Sequence, residues 1–188
     1  DMGTGATALV GDTGLEPATT SLAFAPDGTL YGVNDSDLIT IDTATGAATV
    51  VGSLTCCANA RGLTFAADGT LYLLMGNPGT FHSVNTTTGA ATAIGGMGPN
   101  FIGGLGATCD GVYALDSVED TLETVDVATG ATTDVGPLGE NGNGGLSTDA
   151  SGQLWLLGRP EVPASSESFT IDTATGAATF VATVTGNA

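Results

Sequence analysis

Few side chains in this sequence are suited to chemistry, and their spacing does not gather them. His82 is the single histidine, so a Ser–His–Asp triad or a His-rich metal site finds little support. Three cysteines, Cys56, Cys57 and Cys109, are too few for a disulfide framework. Asn34-Asp35-Ser36-Asp37 is rich in oxygen donors. It lacks the length and Gly placement of an EF-hand loop, so it reads first as a solvated turn and second as a Ca²⁺ seat through Asp35 and Asp37. Acidic pairs of the glycosidase kind have their raw material, but no pair stands apart from the turn residues around it. No catalytic residue and no resident cofactor is expected, and the chain reads as a non-enzyme.

Charge narrows the partners. The 188 residues hold 20 Asp and Glu against two basic residues, Arg61 and Arg159, for a net charge of −18. Binding to a nucleic-acid backbone or an anionic membrane needs clusters of Lys and Arg, so both are excluded as partners. Cations would be attracted instead. A chain without Lys offers few trypsin-type cleavage points, which suits an extracellular or cell-surface location. Its start at Asp1, without Met or leader, fits a processed secreted chain or a trimmed one. No apolar run is long enough for a membrane helix.

The elements that must position these residues are short strands. Ser21 to Leu54 alternates apolar and polar residues and is broken by Asp27-Gly28 and Thr45-Gly46. Period 2 predicts strands A (21–25), B (29–33), C (38–42) and D (47–52). The first turn recurs at Asp68-Gly69, Asp110-Gly111 and Ser151-Gly152, at spacings of 41, 42 and 41 residues. The second occurs at Thr4-Gly5, Thr45-Gly46, Thr88-Gly89, Thr129-Gly130 and Thr175-Gly176. A four-strand unit of roughly 42 residues has the size of a β-propeller blade. Asp-Gly supplies the positive φ of a tight hairpin, and the Asp of Asp-Thr-Ala-Thr-Gly bonds its own backbone before the chain reverses. Tyr31, Tyr72, Tyr113 and Trp155 share one B-strand position and read as blade-to-blade packing.

Blades written GLxFxxDGTLY…IDTATGAATxVG resemble those of bacterial and archaeal secreted propellers with NHL-like or quinoprotein-like repeats, over essentially the whole chain. The resemblance implies architecture. Some relatives with such blades are metal-dependent lactonases that use Glu, Asn and Asp in the central channel; no matching set lies on the inner strands here, and the quinone-binding tryptophan motifs are missing.

The expectation is an all-β propeller of one domain, 1–188, with blades at about 21–59, 61–101, 102–142 and 143–186. Residues 4–11 form a surplus D-type strand; the variant is five blades completed between chains. The A–B and C–D turns share one face and are uniform. The opposite loop face varies and carries the candidate binding residues Arg61, Arg159, Glu119, Asp120 and Glu161. Cys56-Cys57 and Cys109 fall on opposite faces, which leaves a vicinal bridge, a bridge to another copy, or three free thiols. Asn34 and Asn85 head glycosylation sequons. The reading is an extracellular structural propeller that associates with itself, into a filament or surface assembly. Thr7, Ala8, Leu9 and Val10 would be donated to a neighbour's edge, with head-to-tail stacking. The alternative is a propeller that binds a glycan, cation or other ligand on its loop face.

Overall fold

The computed structural model describes residues 1, 3–16, 19–55, 59–76, 79–98, 103–158 and 166–185. Sixteen strands form four antiparallel sheets. Blade one is β1 (Thr19–Phe24), β2 (Leu30–Asn34), β3 (Asp37–Ile41) and β4 (Ala48–Ser53). Blade two is β5 (Ala60–Phe65), β6 (Leu71–Met75), β7 (Gly79–Val84) and β8 (Ala91–Gly98). Blade three is β9 (Leu105–Ala107), β10 (Val112–Asp116), β11 (Thr121–Val125) and β12 (Thr132–Pro137). Blade four is β13 (Gly144–Thr148), β14 (Leu154–Gly158), β15 (Glu167–Ile171) and β16 (Ala178–Thr183). Each sheet is a simple meander, and the inner strands meet in sequence, β1 with β5, β5 with β9, β9 with β13. The fold is a four-bladed β-propeller.

Strand ends differ from the expected ones by one or two residues, for local reasons. Asp42 leaves β3 because its carboxylate accepts the Ala44 and Thr45 amides and starts the turn. β1 begins early because Thr19 pairs with Asn34. Gly46 completes the turn with φ 81°, its amide bonding the Asp42 carbonyl.

The core lies between blades, where alternate residues of one sheet pack on the next. Val33, Leu74 and Leu115 occupy one B-strand position on the side facing the following blade, and each is 0% exposed. The fourth copy, Leu157, is 44% exposed. On the opposite side of the blades, Leu63, Leu105 and Leu146 are buried, while their counterpart Leu22 is 52% exposed and Phe24 beside it 61%. Leu157 and Leu22 bound the same opening, a cleft between blade four and blade one. Burying a Leu or Phe side chain contributes about 1.5–3 kcal/mol, so the cleft forgoes several such contributions.

The blades are also joined at the outer rim. Gly52 of β4 lies so close to the next blade's C–D turn that any side chain there would collide with the Thr88 carbonyl. Gly95 meets Thr129 in the same way, and Gly136 meets Thr175. Ala91 then donates its amide to Leu54 (3.2 Å), and Ala178 to Leu138 (2.8 Å).

Residues 4–11 do not form the expected strand. Their one ladder contact is a parallel bridge, Ala6 with Thr185, because no C strand stands beside them to pair with. They take a D strand's place at the rim instead. Gly11 abuts Thr45-Gly46 as Gly52 abuts Thr88-Gly89, and Ala48 donates to Thr13 (3.1 Å). On the other side Gly5 abuts Thr183 and accepts from Thr185 (2.9 Å), whose carbonyl also takes the Thr7 hydroxyl (3.0 Å). The segment therefore spans the cleft at its outer edge.

Trp155 follows its three tyrosine counterparts in position but not in surroundings. It lies on the blade-four side of the cleft, half-buried, and donates its indole N–H to Asp149 (2.9 Å).

Candidate functional site

Two inner strands carry a β-bulge at the same place. In β1 the pairing skips from Thr19 to Ser21, and in β5 from Ala60 to Gly62. A bulge leaves one residue unpaired and re-aims its side chain, a device common beside binding sites. Here it turns out Thr20 and Arg61, both exposed, at the loop-face end of the propeller axis. The Arg61 stem lies close against Gly76, where a side chain would displace it.

Below them lies an axial cleft of about 370 Å³ to which the inner strands of all four blades contribute. Thr19, Thr20, Ser21 and Ser147 supply hydroxyls, Leu22 and Leu146 apolar wall, and Arg61 the only charge among the described residues of its lining. Among the described residues Arg61 is the sole positively charged side chain, and it has no ion-pair partner. The volume falls within the range of small-molecule sites, about 300–1,000 Å³. A smaller recess of about 90 Å³ continues toward the turn face, past Ala23, Phe24, Thr64 and Thr148.

The other sequence candidates are dispersed. Asp35 is exposed at the β2–β3 turn, with φ 53°, and Asp37 is half-buried beside it. Among the described residues no three His, Cys, Asp or Glu side chains converge to hold a metal ion. Glu119 is exposed, its amide bonded to Asp116 (3.0 Å). The Asp120 carboxylate accepts the Gly142 amide (2.7 Å), which ties two loops together. Arg159, Glu161, Cys56 and Cys57 lie outside the described residues. Cys109 is an exposed free thiol in the β9–β10 turn. Of the sequon residues Asn34 is buried and Asn85 exposed, the latter accepting the Thr87 and Thr88 amides as a turn cap.

Five titratable groups are displaced from their ordinary range, all outside the axial cleft: the turn carboxylates Asp27 and Asp126, held down chiefly by the backbone amides of Thr29 and Ala128, and His82, Glu123 and Asp149. His82 on β7 is 7% exposed, and burial, which disfavours the charged imidazolium, lowers its pKa. One ring nitrogen bonds Thr80 (3.1 Å) and the other has no partner. Glu123 occupies the same C-strand position in blade three, and burial pushes its carboxyl up, against the opposing hydrogen bond from Thr132. Asp149 is held down at about 2, first by the Ser151 hydroxyl and then by the Trp155 indole.

No protein-family model matches the chain, and a search of curated proteins found no match. Solved structures do resemble it. A gluconolactonase from Xanthomonas campestris superposes with a TM-score of 0.61 at 15% identity, over 89% of this chain and 63% of its own. The PQQ-bound aldose sugar dehydrogenase of Streptomyces coelicolor gives 0.60 at 16%, over 86% and 61%. Regucalcin from Agrobacterium tumefaciens, a calcium-binding protein, gives 0.51 at 21%, over 86% and 59%. The chain thus spans less than two thirds of each. At these identities the likeness establishes the propeller fold, in agreement with the quinoprotein-like resemblance. It also corrects one expectation. The lone His82 and the lack of a gathered catalytic set point to a non-enzyme, but two of these three propellers are enzymes. This architecture holds catalytic sites, and the exclusion does not stand.

Proposed function

We propose that the chain is a ligand-binding propeller that takes a small organic anion in the axial cleft on its loop face. The observation that carries this reading is Arg61. In a chain of net charge −18, its one described positive side chain stands on a bulge at the mouth of a cleft, without an ion-pair partner. A free guanidinium at a concave mouth matches a carboxylate or phosphate through paired N–H donors. The hydroxyls of Thr19, Thr20, Ser21 and Ser147 suit polar substituents on the same molecule, and Leu22 and Leu146 its apolar body.

Benzoate and its neutral isostere benzamide test the reading by calorimetry. Benzoate is expected to bind and benzamide not. Loss of a charge-assisted hydrogen bond costs about 1.5–3 kcal/mol, so Arg61→Gln should weaken benzoate at least roughly tenfold. Equal behaviour of the two probes, or of the variant and the parent, would discard the anion site.

A further inference from the structure

The C–D turns of the four blades close with the same hydrogen bonds, and one of them carries two side-chain groups that those bonds do not use. In blades one, three and four the turn opens on Asp-x-Ala: Asp42 to Ala44, Asp126 to Ala128 and Asp172 to Ala174. In each the Asp carboxylate accepts the amide two residues on, at 2.8, 2.9 and 2.8 Å. Blade two has Asn85-Thr86-Thr87 at that place. Asn85 Oδ1 accepts the Thr87 and Thr88 amides (2.9 and 3.1 Å). The Thr88 hydroxyl accepts from Ala90 (3.3 Å), as Thr45, Thr129 and Thr175 accept from Ala47, Ala131 and Ala177. The turn is thus the same in all four blades and asks only for a capping oxygen at its first residue.

Asn in place of Asp adds an NH₂ group, and Thr in place of Ala adds a hydroxyl. Two backbone N–H donors fix which end of the Asn85 carboxamide is the oxygen, so Nδ2 is the end directed away from the turn. The Thr87 hydroxyl takes no part in the bonds that form the turn, and Asn85 and Thr87 are both exposed. Either exchange alone writes no motif. Together, with Thr86 rather than Pro between them, they write Asn-x-Thr, the acceptor sequence of N-glycosylation. The chain's other such sequence, Asn34-Asp35-Ser36, is placed differently. Asn34 ends β2, lies between Thr19 and Asp37 in the sheet, and is 8% exposed. A sugar on its nitrogen would have to displace neighbouring strands, so the fold separates two sequons that read alike.

We propose that Asn85 is a modification site, the residue at which the folded chain accepts an N-linked glycan from a polyprenyl-pyrophosphate-linked oligosaccharide. Nδ2 forms a bond to the anomeric carbon of the first sugar while the bond from that carbon to the pyrophosphate oxygen breaks. The lipid pyrophosphate leaves with the electron pair, and Nδ2 gives up one proton; nothing is oxidised or reduced. The turn survives the change, because Oδ1 keeps the Thr87 and Thr88 amides while the sugar is carried on the outer nitrogen. The C–D turns lie at the opposite end of the blades from Arg61, so the glycan leaves the mouth of the axial cleft open.

Mass spectrometry of the chain isolated from its natural source tests the proposal. Cleavage on the N-terminal side of Asp yields residues 68–109, which hold Asn85 as their one sequon, and 27–34, which end on Asn34. The first peptide should carry hexose or N-acetylhexosamine mass and the second none. In parallel the unmodified, folded chain is offered to an oligosaccharyltransferase that reads Asn-x-Ser/Thr, with a polyprenyl-pyrophosphate-linked oligosaccharide as donor. One glycan per chain is expected. Asn85→Asp and Thr87→Ala, each installing the residue of the other blades, should abolish transfer with an unchanged melting temperature, and Thr87→Ser should retain it. A bare Asn85 in the natural chain, a glycan on Asn34 in its place, a folded chain that accepts no sugar, or transfer that survives Thr87→Ala would each overturn the proposal.

Discussion

The three filled interfaces and the open cleft are built from the same positions of one repeat, and apart from Ser168, which stands where Leu38, Phe81 and Leu122 do elsewhere, they differ mainly in what stands opposite. Leu115 is fully buried against blade four; Leu157, its counterpart one blade later, faces the cleft. Phe65 packs on Tyr31 at a centroid distance of 5.5 Å, while Phe24, its counterpart, is mostly exposed. The repeat thus places apolar residues at interface positions whether or not the interface exists. In such a quasi-one-dimensional array each unit depends on its neighbours, so exposure at the end of the row measures a missing neighbour rather than a different blade.

The sharpest way to break this comparison is to remove the same side chain at both places. Leu115→Ala should cost about 2–5 kcal/mol through the cavity it leaves, and Leu157→Ala under about 1 kcal/mol, read by urea denaturation of both variants. Equal losses would mean the cleft is occupied in solution.

A smaller effect probes the rim. Gly95→Ala pushes a methyl into the Thr129 carbonyl of the next blade, and separating the two should cost about 1–3 kcal/mol in thermal melts. Gly111→Ala, at a turn with open space around it, should leave the melt nearly unchanged. If Gly95→Ala is equally silent, the close approach at the rim contributes little.

The smallest expected effect concerns His82, inside a filled interface. Its pKa is lowered in the folded state, so the unfolded chain binds a proton first as pH falls. Stability should be insensitive to this residue above about pH 6.5 and decline as pH drops below that unfolded value. His82→Phe, which installs the residue type that blade four carries as Phe169, should flatten that decline in melts between pH 5 and 7 of roughly constant ionic strength. An unchanged slope in the variant would assign the decline to other groups.

The fold was legible because tight turns restrict residue type. Asp42, Asn85, Asp126 and Asp172 each cap the same turn with a side-chain oxygen, and such positions can be counted along a sequence. The surplus Thr4-Gly5 was equally visible, and its turn forms; its strand does not, since a ladder needs a second strand. The candidate site was harder to read. Arg61 could be assigned to the loop face, but the bulge that turns it to the axis is a matter of register between strands, which alternation does not record. Nor does the sequence of Trp155 or Leu157 differ in kind from their buried counterparts, because exposure is decided by the neighbouring sheet.

The segment from Asp1 to Thr13 has a mechanical consequence. It is the one tie described between blade four and blade one at the rim, so the ring is held like a belt by a buckle. A single peptide cut near Asp12 would undo it while leaving all sixteen strands in place. The ring would then become an arc with two loose ends, and unravelling would start at blades one and four and travel inward to the β5–β9 junction.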